Sequence, residues 1–476
     1  MRHRRKSAGL ANGNHKELSA ATGADARAKP QPKAPTRSAF AGRAGSDMAI
    51  AAPAAEIPPP PPPAPTELQP YGKRRDTAAA AIAAPPVAPE ILAGPPRSPL
   101  LIRYLKTQSD FANWVEETLA DETVEVCMAR DTYSLEALRR MRDRTGCVTI
   151  YDAIEYPDYG GRSGDGIRNA FLRDDPARRA LLEHDLSIAR AADAVILNTP
   201  GLVSWYEERE IYPTVVRNCL PYGPAHQTDT IRAACGLAET DRLLVFVNSA
   251  FAGCGIDDIM RALPLLPAHV HLAISGSIAP DYVATIEGLR QPVSDRVHLL
   301  PECDPADLVE FRSGADLALI PLAADIPNHR TVLPNRVFEA VMSRVPMISS
   351  DVPTIRSVLD EYRIGLCYED AQPETIARTI REGLSRQREM RIATERSARL
   401  LSWERESQVY LDVIEPLVGQ YPKHFVVLSL GPIRSNRRSA EQIRTLAEQG
   451  HRITVIAKDR PVPSLMVPDC RYIAWE

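Results

Sequence analysis

No apolar stretch in this sequence reaches the roughly 18 residues that a membrane-crossing helix requires. Charge of one sign is also lacking. The formal net charge is −4 over 476 residues, which argues against a nucleic-acid-binding protein. The eight cysteines, at 127, 147, 219, 235, 254, 303, 367 and 470, contain no CxxC pair, so the spacing argues against a zinc site. Most of them lie in apolar, strand-like surroundings, as buried thiols of a reducing compartment do. The basic N-terminus has no apolar segment behind it and does not read as a secretory signal. A cytoplasmic location is expected, free or peripheral at the inner membrane face.

Proline is plentiful, with 42 residues, and a run of it fills positions 58–63. That run sits in residues 1–98, which are rich in Ala, Pro and Gly and nearly free of aromatics. Such a composition cannot bury enough apolar surface to offset its ordering entropy. It reads as a disordered tail with a polyproline II spacer. Its first part is basic, with Arg2, Arg4, Arg5, Lys6, Lys16, Lys29 and Lys33. This is a solubilising tail or a tether to an acidic membrane surface or partner.

Strand–helix alternation then begins. Helices are expected over 110–119, 135–142 and 177–192, and strands over 124–128, 147–151, 194–197 and 215–218. A second series follows, with strands over 243–247, 270–275, 297–300, 316–322, 347–350 and 365–368. Its helices fall over 256–265, 282–289, 305–313, 355–361 and 374–384. Alternation of this kind predicts parallel sheets with helices on both faces. A further helix, 402–417, leads to strands at 424–430, 452–457 and 470–475 around a helix at 435–448.

The segment Thr331-Val-Leu-Pro-Asn-Arg-Val-Phe-Glu339 is the most informative. Pro334 suits the opening of a helix, because its missing N–H is not needed there. Val337, Phe338 and Val341 give helical spacing of apolar residues, and Pro346 ends the run. Asn335, Arg336 and Glu339 fall in the first turns, at the carboxyl end of a strand, where open α/β sheets bind ligands.

This segment resembles the donor-nucleotide helix of retaining glycosyltransferases of the GT-B fold, especially glycosyltransferase family 4. The resemblance implies two Rossmann-like domains with parallel sheets and an interdomain cleft. It implies a nucleotide-sugar donor as co-substrate, a glycan or other hydroxyl acceptor, and neither a metal nor another cofactor. Glu339 would hold the ribose hydroxyls. Arg336 and the helix N-terminus would hold the phosphates. Asn248, Ser249 and Gly253 resemble the donor-phosphate loop, Gly276 the end of the next strand, and Asn218 a hinge residue. Glu302 and Cys303 fall where the base is contacted. Asp152 and Glu155, after a strand, are the acceptor-side catalytic candidates, beside a glycine-containing loop at 159–162. Three positions depart from the family: Thr331, Ile154 and Cys254 stand where members carry charged or titratable groups. Those departures keep open an alternative, a non-catalytic GT-B-like binding or assembly protein.

Family members begin with the unit that here comes last. Two readings follow: a circular permutation, or the severed start of another module. Under the first, residues 99–220 plus 423–476 form the N-terminal acceptor-side domain. Residues 221–402 then form the donor domain, and residues 403–422 the crossing helix and linker. In members of the resembled family this loop meets the acceptor or the phosphate, so Arg434, Asn436 and Arg437 would then become site candidates, Arg434 and Asn436 on the acceptor side.

Overall fold

The alternation becomes two all-parallel sheets in the computed structural model, which describes residues 99–154, 176–224, 227–323, 327–419, 421–431, 433–434 and 436–475. The expected tail, Glu155 and the loop at 159–162 lie outside the described residues.

The front of the first domain comprises α1 (Pro99–Thr118), β1 (Val126–Ala129), α2 (Leu135–Thr145), β2 (Val148–Ala153), α3 (Pro176–Ala191), β3 (Ala194–Leu197), α4 (Val203–Glu207) and β4 (Thr214–Val215). Helix α1 starts earlier than its expected onset at 110. Its buried face includes Tyr104, Phe111, Ala112 and Val115, so the helical spacing begins just past the tail-like composition. Helix α2 ends at Gly146, whose φ of 67° is the left-handed cap that glycine adopts freely.

The second domain comprises α5 (Thr230–Ala234), β5 (Arg242–Val247), α6 (Ile256–Ala262), β6 (Val270–Ser275), α7 (Val283–Arg290), β7 (Val297–Leu300), α8 (Leu308–Ser313) and β8 (Leu317–Ile320). It continues with α9 (Asn335–Met342), β9 (Met347–Ser350), α10 (Pro353–Tyr362), β10 (Gly365–Tyr368), α11 (Pro373–Ser385) and α12 (Gln387–Ser397). Helix α12 has no counterpart in the sequence reading. Only Met390, Thr394 and Ser397 of it are buried, so charged residues mask its face.

Helix α13 (Trp403–Val418) crosses back to the first domain and is followed by β11 (His424–Ser429), α14 (Arg437–Glu448), β12 (Arg452–Ala457) and β13 (Arg471–Ala474). Strand β11 lies parallel to β1, with Phe425 opposite Val126 and Leu428 opposite Ala129. The C-terminal segment therefore completes the first sheet, whose order is β13-β12-β11-β1-β2-β3-β4. The second sheet runs β10-β9-β8-β5-β6-β7. Counted from β11 and from β5, the two winds are the same. Each sheet reverses its winding at one seam, β11/β1 or β5/β8, and ligand crevices form outside the carboxyl ends of such seams.

Apolar burial holds the inserted segment. Val126, Met128 and Ile150 share a core with Tyr410, Ile414, Phe425, Val427, Ile443 and Val455. Each such side chain contributes about 1.5–3 kcal/mol. Polar ties add register. The His424 N–H and Lys423 Nζ donate to the two Glu125 oxygens at 3.0 and 2.9 Å. Trp403 Nε1 donates to Thr445 Oγ1 at 3.0 Å. All eight cysteines are free thiols. Among the described residues no helix is long and apolar enough to cross a membrane.

Candidate functional site

Helix α9 supplies the centre of the candidate site. Pro334 precedes it in an extended conformation (ψ 152°), and Val337, Phe338 and Val341 anchor its inner face. Glu339 lies on the other face, half-buried, where Arg312 Nη2 of α8 donates to Glu339 Oε2 at 3.0 Å. The field of Glu339 also reaches Arg437, the first residue of α14 in the other domain. Glu339 therefore keeps 13% of its side chain exposed and lies within electrostatic reach of a residue of the other domain. Asn335 Oδ1 accepts from Asn218 Nδ2 at 2.5 Å, which ties the start of α9 to the segment entering the second domain. The Arg336 guanidinium sits 5.5 Å from the Phe246 ring centroid, at the end of β5.

The loop at 248–255 leaves β5 beside this helix. Asn248 N donates to Ser275 O at 3.1 Å, and Ser277 Oγ donates to Ser249 Oγ at 2.9 Å. Gly276, with φ 141°, is required here: a Cβ would stand 2.3 Å from the Asn248 carbonyl oxygen. Gly253 and Gly255 take φ of 89° and 81° and turn the chain into α6. Asn248, Ser249, Gly253 and Gly276 are thus brought together at the carboxyl ends of β5 and β6. Cys254 is 2% exposed. Burial pushes its thiol up, and the nearby Arg336 charge opposes that. Beyond β7, Asp304 Oδ1 accepts from Ser464 Oγ of the C-terminal segment at 3.1 Å, which spans the gap.

On the first-domain side, the expected catalytic placement of Asp152 is corrected. Its side chain is 0% exposed. Arg130 Nε donates to its Oδ2 at 3.2 Å, Arg438 Nη1 donates to the same oxygen at 2.9 Å, and Arg438 Nη2 lies 2.7 Å from Oδ1. Strand β2 runs to Ala153, past its expected end at 151, so Asp152 lies within the sheet and not after it. It ties β1 and β2 to α14. Asn436, expected on the acceptor side, caps α14 instead, its Oδ1 accepting from Ser439 N at 3.1 Å. Arg434 is exposed, and its carbonyl accepts from Val462 N at 2.8 Å.

Sequence reasoning missed three participants. Asp131 follows β1 and gathers the turn after β11, accepting from Leu430 N and Gly431 N, both at 2.8 Å. Its position after a strand end was the available signal, obscured by placing the end of β1 too early. Arg312, which holds Glu339, lies on a short helix whose sequence points to no partner. Thr199 Oγ1 donates to the Thr331 carbonyl at 2.5 Å, and a Cβ on Gly201 would stand 2.5 Å from the same oxygen. Thr331 therefore sits at the contact between the domains.

Two facing parallel-sheet domains, with loops from both seams around one gap, define the GT-B class of fold. Residues 227–400, the greater part of the second domain, match the family model described as "Glycosyl transferases group 1". No curated protein matches the chain. Among solved structures it is similar to a sucrose-phosphate synthase from Thermosynechococcus elongatus, at 18% identity and TM-score 0.53, over 70% of this chain and 82% of that one. It is also similar to Anabaena HepE in complex with UDP, at 13% identity and TM-score 0.53, over 65% and 82% of the two chains. HepE in complex with UDP-glucose gives 14% identity and TM-score 0.51, over 64% and 81%. At these identities the likeness concerns the fold.

Proposed function

We propose that this chain is a glycosyltransferase. It takes a sugar from a nucleotide-sugar donor and passes it, with retention of configuration, to a hydroxyl of a saccharide or other acceptor. The observation that carries the reading is Glu339. It is a largely buried carboxylate on the family-matched domain, at the carboxyl end of a parallel sheet, pinned by Arg312 and within electrostatic reach of Arg437 in the other domain. It would accept the ribose hydroxyls. Arg336 and the loop at 248–255 would receive the diphosphate as it leaves. Charge stabilisation and positioning of this kind supply most of what such a transfer needs. HepE, whose title names UDP and UDP-glucose, makes uridine nucleotides the first probes. The inserted C-terminal segment supports reading the chain as circularly permuted relative to the family's order. The free thiols support a cytoplasmic location.

A second reading has its own observation. Asp152 is consumed in an ion cluster, and Cys254 carries no positive charge at the phosphate loop. A GT-B-like protein that binds nucleotide without turnover fits those features. The experiment is incubation with UDP-, GDP- and ADP-sugars, following nucleoside diphosphate release and sugar transfer. Turnover supports the transferase. Binding without turnover supports the second reading, and absence of both removes the nucleotide site.

A further inference from the structure

We propose that the turn Asn198-Thr199-Pro200-Gly201 is a clasp between the two domains, and that Thr199 is a positioning residue for helix α9. The consequence for turnover rests on the nucleotide-sugar reading of Glu339; the clasp itself does not. The turn follows β3 of the first domain and holds one carbonyl on each side. Asn198 Nδ2 donates to the Ile154 carbonyl at 2.9 Å, just past the carboxyl end of β2. Thr199 Oγ1 donates to the Thr331 carbonyl of the second domain at 2.5 Å. Asn198 is 9% exposed and Thr199 3%, so both bonds are shielded from water.

Local structure aims Thr199 at that carbonyl. Its backbone is extended, with φ −143° and ψ 137°, and its Oγ1 accepts from Gly201 N at 3.2 Å. This bond caps the short helical turn Pro200–Leu202 and fixes the side chain. A hydroxyl has one proton to give, and accepting from Gly201 leaves that proton for Thr331. Gly201 then meets the second domain directly, where the turn packs against α10. A Cβ on Gly201 would stand 2.5 Å from the Thr331 oxygen, 2.9 Å from Thr331 Cα and 2.8 Å from Thr354 Cγ2. Gly201 is not among the glycines with positive φ. Space demands glycine here, and the demand comes from the other domain.

On the second domain the clasped carbonyl lies just before α9. Thr354 Oγ1 of α10 donates to the next carbonyl, that of Val332, at 2.6 Å, and Leu333 is buried. Two hydroxyls, one from each domain, thus hold consecutive carbonyls of the segment that leads through Pro334 into α9. That helix carries Asn335, Arg336 and Glu339. A shift at Thr331 therefore passes to the first turn of α9 through a segment with little slack. Transfer between a donor on one domain and an acceptor on the other depends on their separation, and a misplacement of about 1 Å costs about 10²-fold.

The test compares Thr199→Val, which removes the hydroxyl, Thr199→Ser, which keeps it, and Gly201→Ala, all in the full chain. The readouts are kcat with the sugar nucleotide that wild type uses, nucleoside diphosphate affinity by calorimetry, and hydrogen exchange of residues 332–342. Thr199→Val should lower kcat about 10-fold, the worth of one hydrogen bond, and change diphosphate affinity by less than about 3-fold. It should also speed exchange at 332–342. Thr199→Ser should restore wild-type values. Gly201→Ala should lower kcat by about 10²-fold, because its methyl group forces the domains apart. A merely structural role would lower the unfolding midpoint and leave kcat per folded molecule unchanged; that result overturns the proposal. A loss of diphosphate affinity as large as the loss of kcat overturns it too, since Thr199 would then belong to the nucleotide site. If wild type turns over no sugar nucleotide, the transferase reading fails and exchange alone decides the clasp. Faster exchange at 332–342 in Thr199→Val and Gly201→Ala, but not in Thr199→Ser, then supports it, and unchanged exchange overturns it.

Discussion

The two domains share one winding order and differ in how the chain supplies it. The second domain is built from consecutive residues, and its site ion pair, Arg312 with Glu339, leaves the carboxylate 13% exposed. The first is assembled from two segments separated by the whole second domain. It carries charge inside, with Arg130, Asp152 and Arg438 almost wholly buried. Where a sheet is closed by a distant segment, a buried ion cluster can fix which strand enters and in what register. Here the cluster joins both segments, because Arg438 comes from α14, Asp152 from β2 and Arg130 from the residue after β1. The same insertion sets Ser464 Oγ against Asp304 Oδ1 of the opposite domain at 3.1 Å. In this fold, closing the first sheet and completing the gap are one structural event.

Deleting residues 423–476 should break the comparison most severely. Strands β1 and β2 lose their neighbour β11 and the core around Phe425 and Val427. Hydrogen exchange should find residues 126–153 unprotected while residues 242–275 stay protected. Protection of both regions would show that the first sheet does not depend on the insertion. Next in size is Asp152→Ala, which leaves two buried guanidinium groups unpaired. It should cost about 3–5 kcal/mol in urea unfolding, the range for breaking a buried ion pair from one side. A catalytic Asp152 would instead leave stability nearly intact. In the second domain Gly276→Ala should cost about 1–3 kcal/mol, because the position needs positive φ and has no room for a Cβ. Nucleotide binding should weaken with it, since Asn248 must move.

The smallest effect concerns the polar tie at the seam. Lys423, and then the His424 N–H, hold the Glu125 carboxyl below its usual pKa. A depressed folded-state pKa gives stability above the unfolded value that is lost as pH falls through the folded one. Glu125→Gln should therefore lower stability near neutrality by less than about 1 kcal/mol, since the pair is partly exposed. The gap from wild type should close as the solution is acidified below the normal glutamate range. A gap independent of pH, read from denaturation midpoints, would remove the electrostatic account.

Much of the fold was legible because local signals sufficed. Strands 194–197, 270–275, 297–300, 347–350, 365–368 and 452–457 appear at their expected bounds, each a short apolar run between helices. Pro334, Val337 and Phe338 placed α9, and with it Glu339, Asn335 and Arg336. The first-domain side was less legible. Whether Asp152 faces the gap or the interior depends on two further residues of strand and on arginines at 130 and 438. Asn436 reads equally well as a loop ligand or a helix cap until the helix start is known. The grip of Arg312 on Glu339 joins residues on separate helices, and no spacing encodes it.

The central claim is that Glu339 grips a ribose, and hydroxyl deletion tests it most directly. Binding of a nucleoside diphosphate and its 2′,3′-dideoxy counterpart should be compared in wild type and Glu339→Ala. Wild type should prefer the ribose form by about 10- to 100-fold, the strength of hydrogen bonds to a charged group. Glu339→Ala should bind both forms equally weakly. A preference for ribose that survives in Glu339→Ala would contradict the account.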